Sequence, residues 1–348
     1  MKIAVSEMVA KYKEALATSG ASAEDVDTMA ILRLEQDLHH NYFSGLREVE
    51  GAVKELKASL GKQHIVEVDK PALKLINCNG RAAGLVTFGL LPELCAMARQ
   101  QGIAIIGYYG GGYQSMPEVF ARAIAAENLV GLISGAGGPQ SVVPYGGSKD
   151  IMGTNPLAYG IPTNDLPIVF DAATAKYPWG SIGLNRERGL TLPARSYLNK
   201  DGAWTTDPND AVAIIPFGEH KGYAINLLLE VLTGALVRAK SGLLQQNEKD
   251  MGGFLLAIDP AAFGPLNEFK QQTTKLAQDI EAVKPAEGFS EVRVPGYKGE
   301  RYKQKVMAAD SIEIADASGR NFKHIMMQLS VSDAKMEDIE QLLHGARC

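Results

Sequence analysis

Tyr113 closes the run YYGGGY, between the apolar stretch IAII (Ile103–Ile106) and the helix-like PEVFARAIAAENL (Pro117–Leu129). Glycines permit positive φ and close backbone approach, and a helix start offers free N–H groups to an anion. The spacing is not G-x-G-x-x-G and the later acidic residue is missing, so a Rossmann dinucleotide turn is not indicated. A phenol near a cation can act as a general acid, and a lone tyrosine can equally serve packing. The stretch thus reads as a phosphate loop, an active-site loop or a tight turn.

Four other stretches carry residue types with chemical potential. SGAGGPQSVVPYGG (Ser134–Gly147), followed by MGTNPLAYGIP, has the N–H-rich composition of a cofactor-contacting loop or of two surface turns. In FDAATAKYPWG, Asp171 ends an apolar strand, where it can accept from ribose or amide groups or cap the next segment. His220 and Lys221 stand at the mouth of the apolar segment KGYAINLLLEVL. A cation there opposes the helix dipole and needs an anion to offset it, such as a phosphate or carboxylate. The neighbours His39 and His40 point about 100° apart on a helix, and no third ligand stands at zinc spacing, so no metal site is expected.

The elements that must position these groups are legible in outline. Residues 5–18 place Met8, Val9, Tyr12 and Leu16 on one helical face. Ser22 with Asp25 reads as an N-terminal cap of a helix running to about Leu38, and Ser332 or Asp333 can cap a terminal one. Between them, β-rich runs (ALKLIN, IAIIG, LVGLIS, LPIVFD, AVAII, GFLLAI) alternate with helical stretches such as PELCAMARQQG. That interleaving predicts an α/β layer fold. Gly- and Pro-rich loops from residue 107 to 162 exceed what connection requires, and long ordered loops usually carry function. A net charge of -5 gives no reason to expect nucleic acid. Glu7 and Lys11 interrupt the start where a signal peptide is apolar, and Glu230 breaks the most apolar stretch, so no membrane span is expected. Three scattered cysteines offer no disulfide framework, and no G-x-S-x-G elbow or Walker loop occurs. The chain reads as cytoplasmic.

MGTNPLAYGIP, FDAATAKYPWG, DGAWTTDP, HKGYAINLLLEVLTG and VRVPGYKGE occur in this order. Together they resemble the type 2 malate/L-lactate dehydrogenases, over about residues 25–316. That family includes sulfolactate and ureidoglycolate dehydrogenases, diketogulonate reductase and the piperideine- and pyrroline-2-carboxylate reductases. The resemblance implies a non-Rossmann, three-layer α/β/α fold around a mixed sheet, with peripheral N- and C-terminal helices. It suggests an N-terminal helical segment (1–65), a catalytic domain (66–316) and a C-terminal segment (317–348) packing with the N-terminal helices. It also implies NAD or NADP as cofactor, a small carboxylate substrate and a homodimer. Carried over by position, cofactor contacts fall on Ser134, Gly137, Gly138, Asp171, Ala172, Ala173, Lys221, Gly296 and Tyr297, with Thr154 and Asn155 nearby.

The departures bear on chemistry. The family reads S-H-G-x-x-R where this chain has FSGLRE. Ser44 falls at the histidine, Arg47 one place short of the arginine, and Glu48 at the arginine's own position. Tyr113 stands at the family's second histidine, its main proton donor, and His220 is the histidine near enough in the motifs to be considered with it. A phenol of pKa near 10 is a donor more than a base, which favours reduction, and an iminium already carries its proton. Tyr113, Ser44, Arg47 and His220 are therefore the expected catalytic set of an NAD(P)H-dependent reductase of a 2-oxo acid or cyclic imine. A nicotinamide-binding, non-catalytic homologue and a different reaction on the same scaffold are the alternatives.

Overall fold

A computed structural model describes residues 2–39, 45–114 and 116–313 of the chain. Its strands are β1 (Lys2–Ile3), β2 (Ile65–Lys70), β3 (Leu73–Asn77), β4 (Ile103–Tyr109), β5 (Val130–Gly135), β6 (Leu157–Ile161), β7 (Ile168–Ala172), β8 (Tyr197–Leu198), β9 (Trp204–Thr205), β10 (Ala213–Ile214), β11 (Gly252–Ile258) and β12 (Ile312–Glu313). Its helices are α1 (Val5–Ala17), α2 (Ala23–Leu38), α3 (Val49–Ser59), α4 (Ala83–Gly89), α5 (Leu91–Gln101), α6 (Pro117–Ala126), α7 (Gly180–Arg188), α8 (His220–Thr233), α9 (Leu266–Ala282) and α10 (Tyr297–Ala308).

The main sheet is mixed, in the order β2-β3-β4-β11-β5-β6-β7. Only β3 and β4 run parallel; every other neighbouring pair is antiparallel. Helices α5 and α6 cover one face, burying Leu94, Phe120 and Ile124 against Ile106, Ile133 and Leu255. Side chains alternate across a strand, so Gly107, next to Ile106, faces the other layer, where a Cβ would lie 2.8 Å from Val237. That layer holds α8 and the turn Ala235–Val237. The α/β/α layering around a mixed sheet is the expected one. The run AVAII departs from expectation: only Ala213–Ile214 is strand, in a separate three-stranded sheet β10-β8-β9. The stretch MGTNPLAYGIP read as loop but contains β6, whose Gly160 lies under α6.

The N-terminal cap is as read: Ser22 Oγ accepts from the Asp25 N–H at 3.1 Å. α1, α2 and α3 bury Met8, Tyr12, Leu16, Met29 and Leu56 in a second core, which Val306 of α10 joins. Helix α2 also sends Ile31 and Leu32 into the main core, so it ties the helical layer to the sheet. The helix expected after Ser332 or Asp333 lies outside the described residues.

Candidate active site

The glycine run after β4 is held by its own backbone. The Gly110 N–H donates to Met251 O at 3.1 Å, and Gly111 O accepts from the Ala83 N–H at 2.9 Å. Gly110 and Gly112 take φ of 75° and 77°, a region that disfavours L side chains. A Cβ on Gly111 would lie 2.7 Å from the Cys78 side chain, so only glycine lets the loop press this close. The packed loop presents Tyr113 at a cavity of about 500 Å³ that Arg33, Glu48 and Glu55 also line.

Surrounding protein, and then the carboxyl of Asp171, push the Tyr113 pKa up to about 12. The residue keeps 43% of its surface open, so water on that side offsets part of the rise. At or above its ordinary value the phenol is protonated at neutral pH, so it has a proton to donate. Asp171, at the end of β7, accepts from the Glu118 N–H at the start of α6 at 3.1 Å. Burial, then the Glu118 carboxylate, raise its pKa to about 7. Asp171 also lines a second cavity of about 440 Å³, with Phe170, Ala172, Ala173, Tyr177 and Phe217. Tyr113 thus lines the first cavity and Asp171 the second, and the two lie close enough for the carboxyl to raise the phenol's pKa.

The first cavity's charged wall comes from the N-terminal helices. Arg33 of α2 is 6% exposed; its Nη2 lies 2.5 Å from Glu55 of α3, and its Nη1 3.4 Å from Glu48. Glu48 ends the short turn Gly45–Glu48, which Asp37 anchors by accepting from the Leu46 N–H at 2.8 Å. Arg47 belongs to this turn; its side chain, like the whole of Ser44, lies outside the described residues. Arg33 and Glu55 were not singled out in the sequence, because two residues on different helices leave no local pattern.

The expected cofactor residues divide in two. Ala172 and Ala173 line the second cavity, and Lys221 is exposed in the first turn of α8. His220 beside it is also exposed and meets Tyr145 edge to face, ring centroids 5.8 Å apart; neither residue lines the two cavities. Other side chains are spent inside the protein. Ser134 Oγ donates to Pro156 O at 2.7 Å, and Thr154 Oγ1 to Gly137 O at 2.8 Å. Asn155 Nδ2 donates to Asn226 Oδ1 at 3.0 Å and Glu230 Oε2 at 2.5 Å, while its Oδ1 accepts from the Gly137 N–H at 3.1 Å. This network ties the loop after β5 to α8. Ser134, Thr154 and Asn155 thus shape the loop rather than reach out of it, and Gly138, with φ 98°, presents backbone. Gly296, with φ 85°, packs on Val169, and Tyr297 is buried beside Ala277 and Val294, so these two brace α10 against β7. His39 is also occupied: Nδ1 lies 2.6 Å from Glu35 O and Nε2 3.3 Å from Glu300 Oε1. His40 lies outside the described residues. Among the described residues no group of His, Cys, Asp and Glu is placed to hold a metal ion.

Residues 3–322 match the family model described as malate/L-lactate dehydrogenase. The ureidoglycolate dehydrogenase (NAD(+)) of Escherichia coli O157:H7 is 27% identical over 91% of this chain and 93% of its own. The Delta(1)-pyrroline-2-carboxylate reductase of Ancylobacter novellus is 29% identical over 85% of this chain and 89% of its own. The solved structure of the sulfolactate dehydrogenase from Methanocaldococcus jannaschii superposes with a TM-score of 0.82 at 25% identity, covering 97% of this chain and 99% of that one.

Proposed function

The chain belongs to the malate/L-lactate dehydrogenase family and is an oxidoreductase, and from that premise we propose that it reduces a small carboxylate substrate at C2, with Tyr113 as the proton donor. The observation that supports this reading is Tyr113 at the wall of the first cavity, close to the Asp171 carboxyl that lines the second; the resemblance aligns Tyr113 with the family's donor histidine. Histidine shuttles protons both ways near neutral pH, whereas a phenol held protonated serves one direction. That asymmetry favours reduction of C=O or C=N over oxidation of the alcohol or amine.

The residues present fit a nicotinamide dinucleotide. The cavity of about 440 Å³ is floored by the β7 strand end at Asp171–Ala173, and the open backbone of Gly138 and the exposed cation of Lys221 stand on the loops and helix around the sheet. Reduced nicotinamide, when bound, supplies the hydride. The chain's own groups do the rest. The Ala172–Ala173 backbone would hold the cofactor, with the exposed Lys221 supplying charge for its diphosphate. Tyr113 gives its phenolic proton to the substrate oxygen as the C=O bond is reduced. Asp171, raised to about 7, takes and returns protons beside it.

We also propose a homodimer as the working form. Helix α8 and the segment after it leave Leu227, Leu228, Val231, Leu236, Leu243 and Leu244 exposed, an apolar strip that a second copy would cover.

Binding of NADH and NADPH to the purified protein tests the function. Trp179 directly follows Pro178, which lines the second cavity, so energy transfer from Trp179 to the nicotinamide reports binding. We expect one reduced cofactor to quench at micromolar concentration and Tyr113→Phe to bind it equally while turning over about 10²–10⁴ times slower. Full turnover by Tyr113→Phe would remove the phenol from the mechanism. No binding of either cofactor would end the reductase reading.

A further inference from the structure

Asp171 caps a helix to which it does not belong. Helix α6 starts without a cap from the side chain before it, and Asp171, reaching from the end of β7, accepts the Glu118 N–H of its first turn at 3.1 Å. A helix N-terminus favours a charged carboxylate. The side chains around it decide how far that charge is allowed. One turn after Glu118, Arg122 faces it, with Nη2 3.7 Å from Oε2. That is too long for a hydrogen bond, and Glu118 Oε1 is buried without one, so the two act on each other through charge. Arg122 is anchored from outside α6: Nη1 meets Glu300 Oε1 of α10, and Nε lies 4.0 Å from Glu35 Oε2 of α2. Lys303 of α10 holds the other oxygen of Glu35 at 2.6 Å. His39 of α2, beside Glu35 and Glu300, is neutral at pH 7, because burial and then Arg122 lower its pKa to about 4. The carboxyls Asp171, Glu118, Glu300 and Glu35 thus share the cations Arg122 and Lys303, and Tyr113 is the titratable group that Asp171 meets from the loop after β4. Arg122 lines neither of the two cavities.

We infer that Arg122 is a positioning residue for the site: acting through Glu118, it sets the charge that Asp171 carries at the wall of the second cavity. The inference rests on the reductase reading and adds to it a residue remote from both cavities. Burial, then the Glu118 carboxylate, push Asp171 up, and Arg122 pulls it back down. Without Arg122, Glu118 loses the cation facing it, and its charge bears on Asp171 unopposed. The Asp171 carboxyl then keeps its proton to higher pH. Neutralising Glu118 does the reverse. The hydrogen bond that Asp171 accepts comes from the main chain of Glu118, so neither change removes its donor. The consequence falls on a nicotinamide dinucleotide, whose diphosphate is anionic. A neutral Asp171 in the cavity wall admits it, and an ionised one repels it. Cofactor affinity therefore falls as pH rises through the Asp171 pKa, and Arg122 decides where that fall occurs.

The test follows NADH and NADPH binding by Trp179 fluorescence across the neutral pH range in the wild type, Arg122→Gln, Arg122→Lys and Glu118→Gln. The inflection in affinity should move up by about one pH unit in Arg122→Gln and down by a similar amount in Glu118→Gln, while Arg122→Lys, which keeps the charge, stays near the wild type. Above the wild-type inflection Arg122→Gln should then bind the cofactor several-fold tighter, which loss of packing cannot produce. Should Arg122→Gln fail to fold, Glu118→Gln carries the test with the opposite sign. Chemical unfolding over the same range, each protein beside its Asp171→Asn partner, reads the same carboxyl without a ligand. Stability from a raised carboxyl declines with pH until the folded pKa is passed, so in Arg122→Gln the decline should end about one unit higher. Variants that weaken binding equally at every pH, with the inflection unmoved, overturn the inference. Absence of cofactor binding ends the reductase reading by itself; the unfolding curves still report Asp171, and a decline that Arg122→Gln and Glu118→Gln leave in place overturns the role of Arg122.

Discussion

At the scale of single residues, burial decides which groups titrate usefully. Asp171 and Asp37 are both carboxyls pushed up by desolvation, to about 7 and about 8. The first sits near Tyr113, where the proposed mechanism uses it; the second anchors the turn that carries Glu48. Their consequence for stability has a definite sign. A carboxyl whose folded pKa is raised stabilises the fold fully below its unfolded value, near 3.9, and that contribution is lost as pH rises through the folded value. His39 works the other way, its pKa lowered to about 4 by burial, but its contribution is complete above pH 6.5. The window from pH 6.5 to 8.5 therefore isolates the carboxyls. Each pH unit below the folded pKa is worth about 1.4 kcal/mol, so Asp37 alone should cost the wild type about 2 kcal/mol across it. Asp37→Asn keeps an acceptor for the Leu46 N–H but no charge, and should flatten that slope in chemical unfolding. An unchanged slope would mean that Asp37 stays ionised and solvated.

At the scale of elements, close approach between layers is purchased with glycine. A Cβ on Gly160 of β6 would lie 2.0 Å from the Ala121 carbonyl oxygen of α6. Backbone cannot yield as a flexible side chain can, so α6 would have to lift. Because Glu118 at the start of α6 holds Asp171, the lift reaches the site. We expect Gly160→Ala to destabilise by about 1–3 kcal/mol, the usual range for overpacking, and to weaken turnover as well. Denaturant unfolding alongside a rate assay checks both, and a loss in stability with an unaltered rate would break the proposed link between α6 and Asp171. The same rigidity explains the loop after β5. There Asn155 and Glu230 tie backbone to α8 from inside and hold the loop's shape.

At the scale of the whole molecule, the apolar strip on α8 is the feature a lone chain accommodates least well. Leu228 is 57% exposed and Leu244 70%, among other apolar residues that water would have to cover. A second copy would remove that surface from solvent. Leu228→Glu changes an exposed position, so the monomer should keep its fold, while a dimer would have to bury a carboxylate. Sedimentation at micromolar concentration should show the wild type at twice the chain mass and the variant at one. A monomeric wild type would leave the strip for another partner and remove the homodimer.

What local pattern could determine, the sequence determined. The 3.6-residue period of Met8, Tyr12 and Leu16 made α1, the Ser22–Asp25 cap started α2, and short apolar runs became the core strands β3, β4, β5, β7 and β11. The ordered motifs carried the family, and Tyr113 was marked by its glycines. Each of these signals lies within a few residues of chain, where propensity and period act. The wall of the site is different. Arg33 meets Glu55 from another helix, 22 residues away, and Asp171 meets α6 across 53. Asn155, expected to face the cofactor, turns inward because Asn226 and Glu230 of α8 lie beneath it. No period or spacing encodes such meetings. They follow from how the layers stack, and the cost of leaving a buried charge or amide unpaired then selects the partner.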